Sequence, residues 1–187
     1  MGARPQIPPG YSIGLARSDE VTHLPAIEKI SGDLFPLEDL PRALREHGGL
    51  PLSCFEEARL ARRLWVARPP ERPEPVGFAA VILLDASAHL HQLSVVPAHG
   101  RQGLGRALVL AAARWAWQEG FASLTLTTFR HLAFNGPFYA SLGFEPLPVV
   151  LQGPEIRAAL AREAENGLDP EKRVAMRLDR SRIQELS

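Results

Sequence analysis

Short apolar or alternating runs along the chain predict seven β-strands. The predicted strands are residues 11–16, 64–67, 76–84, 89–96, 123–129, 144–151 and 173–178. Pro97 ends the fourth of these runs, since proline cannot donate to a strand ladder. A proline-rich segment, 69–75, joins the second and third strands, which predicts a hairpin with an extended tip.

Apolar residues at helical spacing predict helices between these strands. The first predicted helix begins at Ser18 or Asp19 and ends near residue 30, and a loop covers 31–41. The other predicted helices cover residues 40–46, 54–61, 104–120, 135–142 and 154–166. Pro25 interrupts the pattern of the first helix. The longest helix has one apolar stripe, formed by Leu104, Leu108, Ala111, Ala112 and Trp115. Gly120 and Gly143 suit the ends of two of these helices.

The order of these elements predicts an α/β fold. Strand 89–96, the long helix and strand 123–129 form a right-handed parallel crossover near the centre of a mixed sheet. We expect one domain over residues 11–180, with tails at 1–10 and 181–187.

Composition narrows the class of protein. The 187 residues are 45% hydrophobic, and 21 Lys and Arg balance 21 Asp and Glu, so charge gives no case for nucleic acid or an anionic membrane as a partner. Cys54 is the single cysteine, which excludes an internal disulfide. Neither a signal-like apolar core nor a run near the roughly 20 residues of a membrane span occurs. We therefore expect a cytoplasmic protein.

A glycine-containing turn opens the longest predicted helix. Gly103 and Gly105 leave backbone N–H groups accessible, and a helix N-terminus adds positive potential, so the turn suits an anion such as a pyrophosphate. The dinucleotide fingerprint fits poorly, because its third glycine and its acidic residue are missing. A Walker loop is excluded, since no Gly-Lys-Ser/Thr occurs. The alternative is a plain turn.

Two segments carry residues in a recognisable order and spacing. The first, Leu93-x-Val95-x-Pro97 followed by Gly103-x-Gly105-Arg106-Ala107-Leu108, resembles the acetyl-CoA motif of the GNAT superfamily of N-acetyltransferases. Asn135-Gly136-Pro137-Phe138-Tyr139, followed by Leu142-Gly143-Phe144, is similar to its second signature, a short helix beside the pantetheine arm. The resemblance covers about 11–151 and implies a single-domain α/β (α+β) acyl-CoA N-acyltransferase fold, with a mixed, mostly antiparallel sheet flanked by helices.

The resemblance also implies a set of residues that bind acetyl-CoA. The set is Leu93, Ser94, Val95, Val96, Arg101, Gln102, Gly103, Leu104, Gly105, Arg106, Ala107, Asn135, Phe138 and Tyr139. Gly100 is a departure, because family members usually carry Gln or Arg three residues before the first glycine. Arg101 or Arg106 is then left to supply that charge.

Two histidines alternate on the fourth predicted strand. His89 and His91 are two residues apart, so a strand directs both to one face. The run from 88 to 95 is similar to the corresponding strand of the arylalkylamine N-acetyltransferases, and this resemblance implies a proton-accepting pair. Our hypothesis makes His91 the base and His89 its relay. The alternatives are one packed and one solvated histidine, or a zinc site with His99 or His131, for which no Cys or acidic ligand is suitably spaced.

Asn135 and Tyr139 are four residues apart and share a helix face. By resemblance, the Tyr139 hydroxyl protonates the departing thiolate and Asn135 hydrogen-bonds the cofactor arm. The alternative is that Asn135 caps the helix and Tyr139 is a core aromatic. Phe138 and Phe144 are predicted to be the core aromatics, which leaves Tyr139 for the polar role.

These observations favour an enzyme that moves the acetyl group of acetyl-CoA to a primary amine by direct attack in a ternary complex, without a metal. A small-molecule amine is expected, with 31–60 and 149–166 forming the acceptor mouth and Phe35, Pro36 and Leu37 its apolar lip. A protein N-terminus or lysine as acceptor, and a non-catalytic CoA-binding module, are the alternatives. The resemblance also makes a homodimer plausible.

Overall fold

The computed structural model describes residues 7–47 and 49–185. Its strands are β1 (Ser12–Leu15), β2 (Leu64–Arg68), β3 (Gly77–Leu84), β4 (Ser87–Val95), β5 (Ser123–Phe129), β6 (Glu145–Pro146) and β7 (Arg173–Asp179). They form one sheet in the order β1-β2-β3-β4-β5-β7-β6. Its α-helices are α1 (Leu24–Gly32), α2 (Arg42–His47), α3 (Leu52–Leu60), α4 (Leu104–Gln118), α5 (Gly136–Ser141) and α6 (Pro154–Glu165). The predicted α/β class is confirmed.

Strand pairing agrees with the predicted topology. β4 and β5 are parallel, with α4 between them in the chain, and His89 is in register with Thr125. β1–β2, β2–β3, β5–β7 and β6–β7 are antiparallel. The proline-rich segment 69–75 therefore does join a hairpin, in which Ala67 pairs with Gly77.

Pro25 divides the first predicted helix. Ser18–His23 is a 3-10 helix, and α1 starts at Leu24 with Pro25 in its first turn. Proline is well accommodated there because the first amides of a helix have no intrahelical acceptor, whereas inside a longer helix it would remove a hydrogen bond. α1 then continues to Gly32, so the predicted loop from residue 31 begins two residues later than expected.

The predicted strand 144–151 is wrong over most of its length. Only Glu145–Pro146 pairs with β7, the Leu147 N–H donates to Ala175 O at 2.8 Å, and Val149–Leu151 is a 3-10 helix. Pro146 and Pro148 have no N–H to donate, so the strand ends where its second proline occurs.

The predicted tails are described only in part. Residues 1–6, 186 and 187 lie outside the described residues. Residues 7–10 have no helix or strand, whereas Arg180–Glu185 is a 3-10 helix that a tail prediction did not include.

The described residues divide into two compact units. The first unit contains residues 7–47, 49–82 and 90–115, and the second contains 83–89 and 116–185. The prediction of one domain over 11–180 stays a prediction. No helix in the described part of the chain is long and apolar enough to span a bilayer.

In the first unit, the core lies between β2, β3 and helices α1 and α3. Its buried members are Ala16, Val21, Leu24, Ile27, Phe55, Ala58, Leu64, Val66, Phe78 and Ala80. A buried ion pair adjoins them: Arg68 donates through Nε to Glu20 Oε1 at 2.5 Å and through Nη2 to Oε2 at 2.8 Å. This pair fixes the 3-10 helix Ser18–His23 against β2.

In the second unit, buried side chains of β5 and β7 form the centre of the core, including Leu124, Leu126 and Leu178. The two-residue turn between β3 and β4 also holds the start of α6. Asp85 has φ +50° and accepts from the N–H groups of Glu155 and Ile156 at 2.9 and 3.0 Å. Its carboxylate thus caps α6, a contact that the 70-residue separation hid from the sequence.

Candidate active site

The first unit holds the carboxyl-terminal half of β4, which carries the predicted acetyl-CoA strand. His91 is exposed and Leu93 and Val95 are half-buried on the same face, while Ser94 is buried and accepts from Gln92 Nε2 at 3.1 Å. The strand is fixed at its end, because the Val96 N–H donates to Val76 O at 2.8 Å. Gly77 permits this approach: a Cβ there would lie 2.9 Å from Ser94 O. The sequence analysis had not assigned Gly77 a role.

The loop after β4 presents backbone to solvent at the start of α4. Pro97–His99 forms one 3-10 turn, and Arg101 and Gly103 then have φ +57° and +82°. Residues 101–103 are exposed, and Gly103 O accepts the Ala107 N–H at 2.9 Å, as the residue before a helix does. The amides of the first turn of α4 therefore have no acceptor within the helix. A positive φ at Arg101 was not predicted, since non-glycine residues rarely adopt it.

The side chains of this loop divide into two groups. Leu104 and Ala107 are buried, so they contribute packing and only their backbone to a ligand. Arg101 is exposed and Arg106 half-buried, and neither forms an ion pair with any residue that the structure describes. Their positive charges, the helix dipole and the first-turn amides together suit a diphosphate.

The second unit holds His89. Its side chain is 2% exposed, and its Nδ1 lies 2.9 Å from the Oγ1 of Thr125 on the neighbouring strand β5. His91, by contrast, is exposed. The two histidines thus differ in solvent access, as in the alternative of one packed and one solvated residue; their predicted proton-accepting roles stay predictions.

Asn135 directly precedes α5 and is its N-cap by position, but its side chain does not cap the helix. Its Nδ2 donates to Phe134 O at 3.2 Å, which orients the amide, and its buried Oδ1 accepts no hydrogen bond from any described residue. A buried acceptor without a partner costs about 1–3 kcal/mol. This oxygen therefore fits an amide N–H of a bound molecule such as the pantetheine arm of CoA.

Tyr139 is 7% exposed, and its ring packs edge-on against Phe138 and Phe144, with centroids 5.1 and 5.6 Å away. Burial raises the pKa of Tyr139 well above its ordinary value, and the positive charge of Arg173 only partly opposes this. The phenol thus keeps its proton at neutral pH. Phe144 is buried as predicted, whereas Phe138 is only half-buried, so Tyr139 and not Phe138 completes the core.

A charged cluster near this helix was missed by sequence reasoning. Arg173 donates to both carboxylate oxygens of Glu163 at 2.9 Å and lies 4.5 Å above the centre of the Phe129 ring. Thr127 also donates to Glu163, at 2.6 Å. These residues come from β5, α6 and β7, and no local pattern in the sequence connects them.

The predicted acceptor mouth has parts in both units, and each part exposes apolar side chains. In the first unit, Leu34 and Leu37 are exposed, and Arg45 donates to Phe35 O and, at 3.2 Å, to Leu40 O. Glu28 accepts the Leu50 N–H at 2.9 Å, and burial raises the pKa of its carboxyl despite that bond. In the second unit, the exposed residues are Val149, Val150 and Leu151.

A zinc site was one alternative interpretation of the histidines. Within 7–47 and 49–185, no group of three or more His, Cys, Asp or Glu side chains is placed to hold a metal ion.

Comparison with known proteins identifies the family. A sequence model of the acetyltransferase (GNAT) family matches residues 24–144. N-acetyltransferase family 8 member 3 of Rattus norvegicus is 33% identical over 116 residues, which are 58% of this chain and 44% of that protein. The chain thus spans less than half the length of this relative.

Two solved structures share the fold. N-acetylglutamate synthase from Neisseria gonorrhoeae, complexed with coenzyme A and N-acetyl-glutamate, has a TM-score of 0.65 at 19% identity, over 90% of this chain and 35% of that one. Arabidopsis thaliana Naa50, in complex with the bisubstrate analogue CoA-Ac-MVNAL, has a TM-score of 0.60 at 13% identity, over 91% of this chain and 99% of that one. With the family match over residues 24–144, this chain belongs to the acetyltransferase (GNAT) family.

Proposed function

We propose that this protein transfers the acetyl group of acetyl-CoA to the primary amine of a small molecule, by direct attack in a ternary complex. The observation that carries the proposal is at α5, where a buried acceptor without a partner, Asn135 Oδ1, lies one helical turn before a phenol that keeps its proton, Tyr139. Because the chain belongs to the acetyltransferase (GNAT) family, we assign acetyl-CoA as the ligand of this helix.

Binding of acetyl-CoA involves backbone more than side chains. The first-turn amides of α4 bind the diphosphate after the turn at Arg101 and Gly103. Arg101 or Arg106 supplies the charge that Gly100 lacks. The backbone of strand residues 93–96 binds the pantetheine arm. Asn135 Oδ1 accepts a hydrogen bond from one of the amide N–H groups of that arm. Acetyl-CoA supplies an activated thioester carbonyl.

The acceptor must lose a proton before it attacks. An alkylammonium has a pKa of about 10, so deprotonation near neutral pH costs on the order of 4 kcal/mol. Imidazole titrates near neutrality and is suited to take this proton. His91, which solvent reaches, acts as the base, and His89, which is buried, is its relay.

Two further groups stabilise the negative charge that develops on the thioester oxygen and on the leaving sulfur. The backbone N–H of Val95 polarises the thioester oxygen, as donors in an oxyanion hole do. Tyr139 donates its proton to the sulfur that leaves. A phenol with the ordinary pKa of about 10 already keeps its proton at the pH at which an imidazole base works, and burial raises the pKa of Tyr139 further.

A small molecule is the proposed acceptor because the exposed side chains of the 31–60 region, such as Leu34 and Leu37, favour a partly apolar amine. A protein N-terminus is the second candidate, since the fold resembles that of Naa50 bound to a peptide-derived bisubstrate analogue. The closer kinship with arylalkylamine N-acetyltransferases, a homodimer and a cytoplasmic location stay predictions.

The test begins with calorimetry of the folded protein with acetyl-CoA and with CoA. We expect 1:1 binding of both; no binding would reject the proposal. Acetyl-CoA consumption is then followed with a panel of arylalkyl and aliphatic amines and, beside it, peptides with free N-termini or lysines. Turnover confined to the peptides would replace the small-molecule acceptor with a protein, and binding without any turnover would favour the non-catalytic module.

The histidine assignment has its own test. His91→Gln and His89→Gln keep the polarity of the side chain but cannot take a proton, so we expect each to lower kcat and to remove the ionisation with pKa near neutrality from the pH–rate profile. Profiles unchanged in both variants would exclude the pair as base and relay.

A further inference from the structure

Thr125 is the residue that contacts His89 in the interior of the second unit. The two are in register on parallel strands β4 and β5, and their side chains are 2% and 3% exposed. The distance from Thr125 Oγ1 to His89 Nδ1 is 2.9 Å. Water has almost no access to either group, so the hydrogen bond between them is decided by the protein.

A second contact of Thr125 bears on the direction of that hydrogen bond. Thr125 Oγ1 also lies 3.2 Å from the carbonyl oxygen of Ala88, to which it donates. A hydroxyl has one proton, and a carbonyl oxygen has none to offer. A Thr125 hydroxyl that donates its proton to Ala88 O can only accept from the imidazole, and its partner is then a proton on Nδ1.

We propose that Thr125 is the positioning residue of His89: its hydroxyl fixes the neutral imidazole as the Nδ1–H tautomer, so that Nε2 is the atom that accepts a proton during acetyl transfer. The inference rests on the proposed function for its catalytic meaning, but the tautomer itself does not depend on any substrate.

The proton step balances with this assignment. His91 takes the proton when an N–H bond of the ammonium breaks. In the relay step that N–H bond on His91 breaks and a new one forms at Nε2 of His89, which carries the positive charge until the proton returns. Thr125 Oγ1 accepts from Nδ1–H before and after, because Nδ1 is protonated in both states. The hydroxyl thus orients the ring without having to reorient when the charge appears.

Threonine is the side chain that this position requires. Valine has nearly the same shape but no hydroxyl, so Nδ1–H would lose its acceptor in the interior. Serine keeps the hydroxyl and so keeps both hydrogen bonds. Thr128, also buried on β5 and 4% exposed, offers a matched control, since Thr128→Val removes a hydroxyl from the same strand three residues away.

The first experiment records the ring 15N and 1H resonances of the uniformly 15N-labelled protein without ligand. His89→Gln identifies the signals of His89 by their loss. We expect a protonated-type Nδ1 and an unprotonated-type Nε2 at a pH where the ring is neutral. An Nε2–H tautomer in the wild-type protein would overturn the proposal, whatever the enzyme acetylates.

The second experiment combines these spectra with kinetics. We expect Thr125→Val to lower kcat by about 10- to 100-fold and to shift His89 toward the Nε2–H tautomer, as loss of a partner that fixes an imidazole does in other sites. Thr125→Ser should restore both readouts, and Thr128→Val should change neither. A shifted tautomer with wild-type kcat, or a serine variant as slow as the valine variant, would exclude the positioning role.

Two outcomes keep this inference separate from the proposed function. If no amine or peptide is acetylated, the proposed function fails, while the wild-type spectrum still tests the tautomer. If Thr125→Val does not fold, Thr125→Ser carries the kinetic comparison, and a serine variant with an altered tautomer overturns the proposal.

Discussion

Tyr139 places a phenol in the apolar interior of the second unit, between the rings of Phe138 and Phe144. Sequence resemblance predicted this residue and its role, whereas its burial and its raised pKa come from the way α5 packs. The same is true of Asn135: its place before α5 was predicted, whereas its unpartnered Oδ1 depends on the backbone around it.

Tyr139→Phe tests the proton donor. The ring and its aromatic contacts remain, so we expect the affinity for acetyl-CoA to stay within a factor of a few while kcat falls by about 100-fold or more. Steady-state kinetics and calorimetry on the same preparation measure the two effects. Tyr11→Phe is a control for loss of a tyrosine hydroxyl, since Tyr11 contacts His99 instead. An unaltered kcat for Tyr139→Phe would remove this residue from the mechanism, provided that chemistry limits the rate.

The raised pKa of Tyr139 also predicts how stability depends on alkaline pH. Below the unfolded-state pKa of about 10 the phenol is protonated in both states, so it adds no pH dependence. Above it, the unfolded chain loses the proton while the buried phenol keeps it, so stability falls by up to about 1.4 kcal/mol per pH unit until the folded-state pKa is reached.

Urea unfolding of the wild-type protein and Tyr139→Phe at about pH 8 and about pH 11 isolates this contribution, because the other titrating groups cancel in the difference. We expect the wild-type protein to lose more stability between these two pH values than the variant. Equal losses would show that Tyr139 ionises as an exposed phenol does.

Among the elements, β4 has its end set by a close approach to β3. Val96 N–H donates to Val76 O, and Gly77 leaves no side chain between the two strands. The hydrophobic pattern predicted both strands, but it contained no signal for the distance between them. β6 shows the opposite case. The apolar run over 144–151 predicted a long strand, whereas Pro146 and Pro148, which are visible in the sequence, limit it to two residues.

Gly77→Ala tests whether the placement of β4 matters for catalysis. A Cβ would lie 2.9 Å from Ser94 O and 3.0 Å from Val95 Cγ2, so the strand must move. We expect a loss of up to about 100-fold in kcat/KM, since small displacements of a positioning element are costly. Gly32→Ala is the control: its Cβ would meet only Leu40 Cδ2, at 3.9 Å. Wild-type kinetics for Gly77→Ala would show that the position of Val95 tolerates such a shift.

At the scale of the whole molecule, a buried glutamate forms an ion pair that no motif revealed. Glu20 and Arg68 are 48 residues apart, and the Glu20 side chain is 2% exposed. Breaking such a pair leaves a charge without a partner in the interior. The sequence contains 21 Lys and Arg and 21 Asp and Glu, and these totals do not indicate which residues form ion pairs.

Glu20→Gln should therefore lower the free energy of unfolding by about 3–5 kcal/mol, measured by urea denaturation. Glu46→Gln provides the comparison, because Glu46 pairs with Arg42 on the surface of α2, where solvent screens the interaction. We expect Glu46→Gln to change stability little. Similar small effects of both variants would mean that the Glu20–Arg68 pair is compensated by other contacts.

The sequence by itself determined the family, the α/β class and the parallel crossover, and it predicted the segments that bind acetyl-CoA. These depend on local patterns: alternation of polar and apolar residues, apolar residues at helical spacing, and glycines and prolines, which affect the backbone at their own positions. Only the tertiary structure decided that His89 is buried against Thr125, that Asn135 Oδ1 has no partner and that Asp85 caps α6. Each of these is a property of hydrogen bonds and burial between residues that only folding brings together.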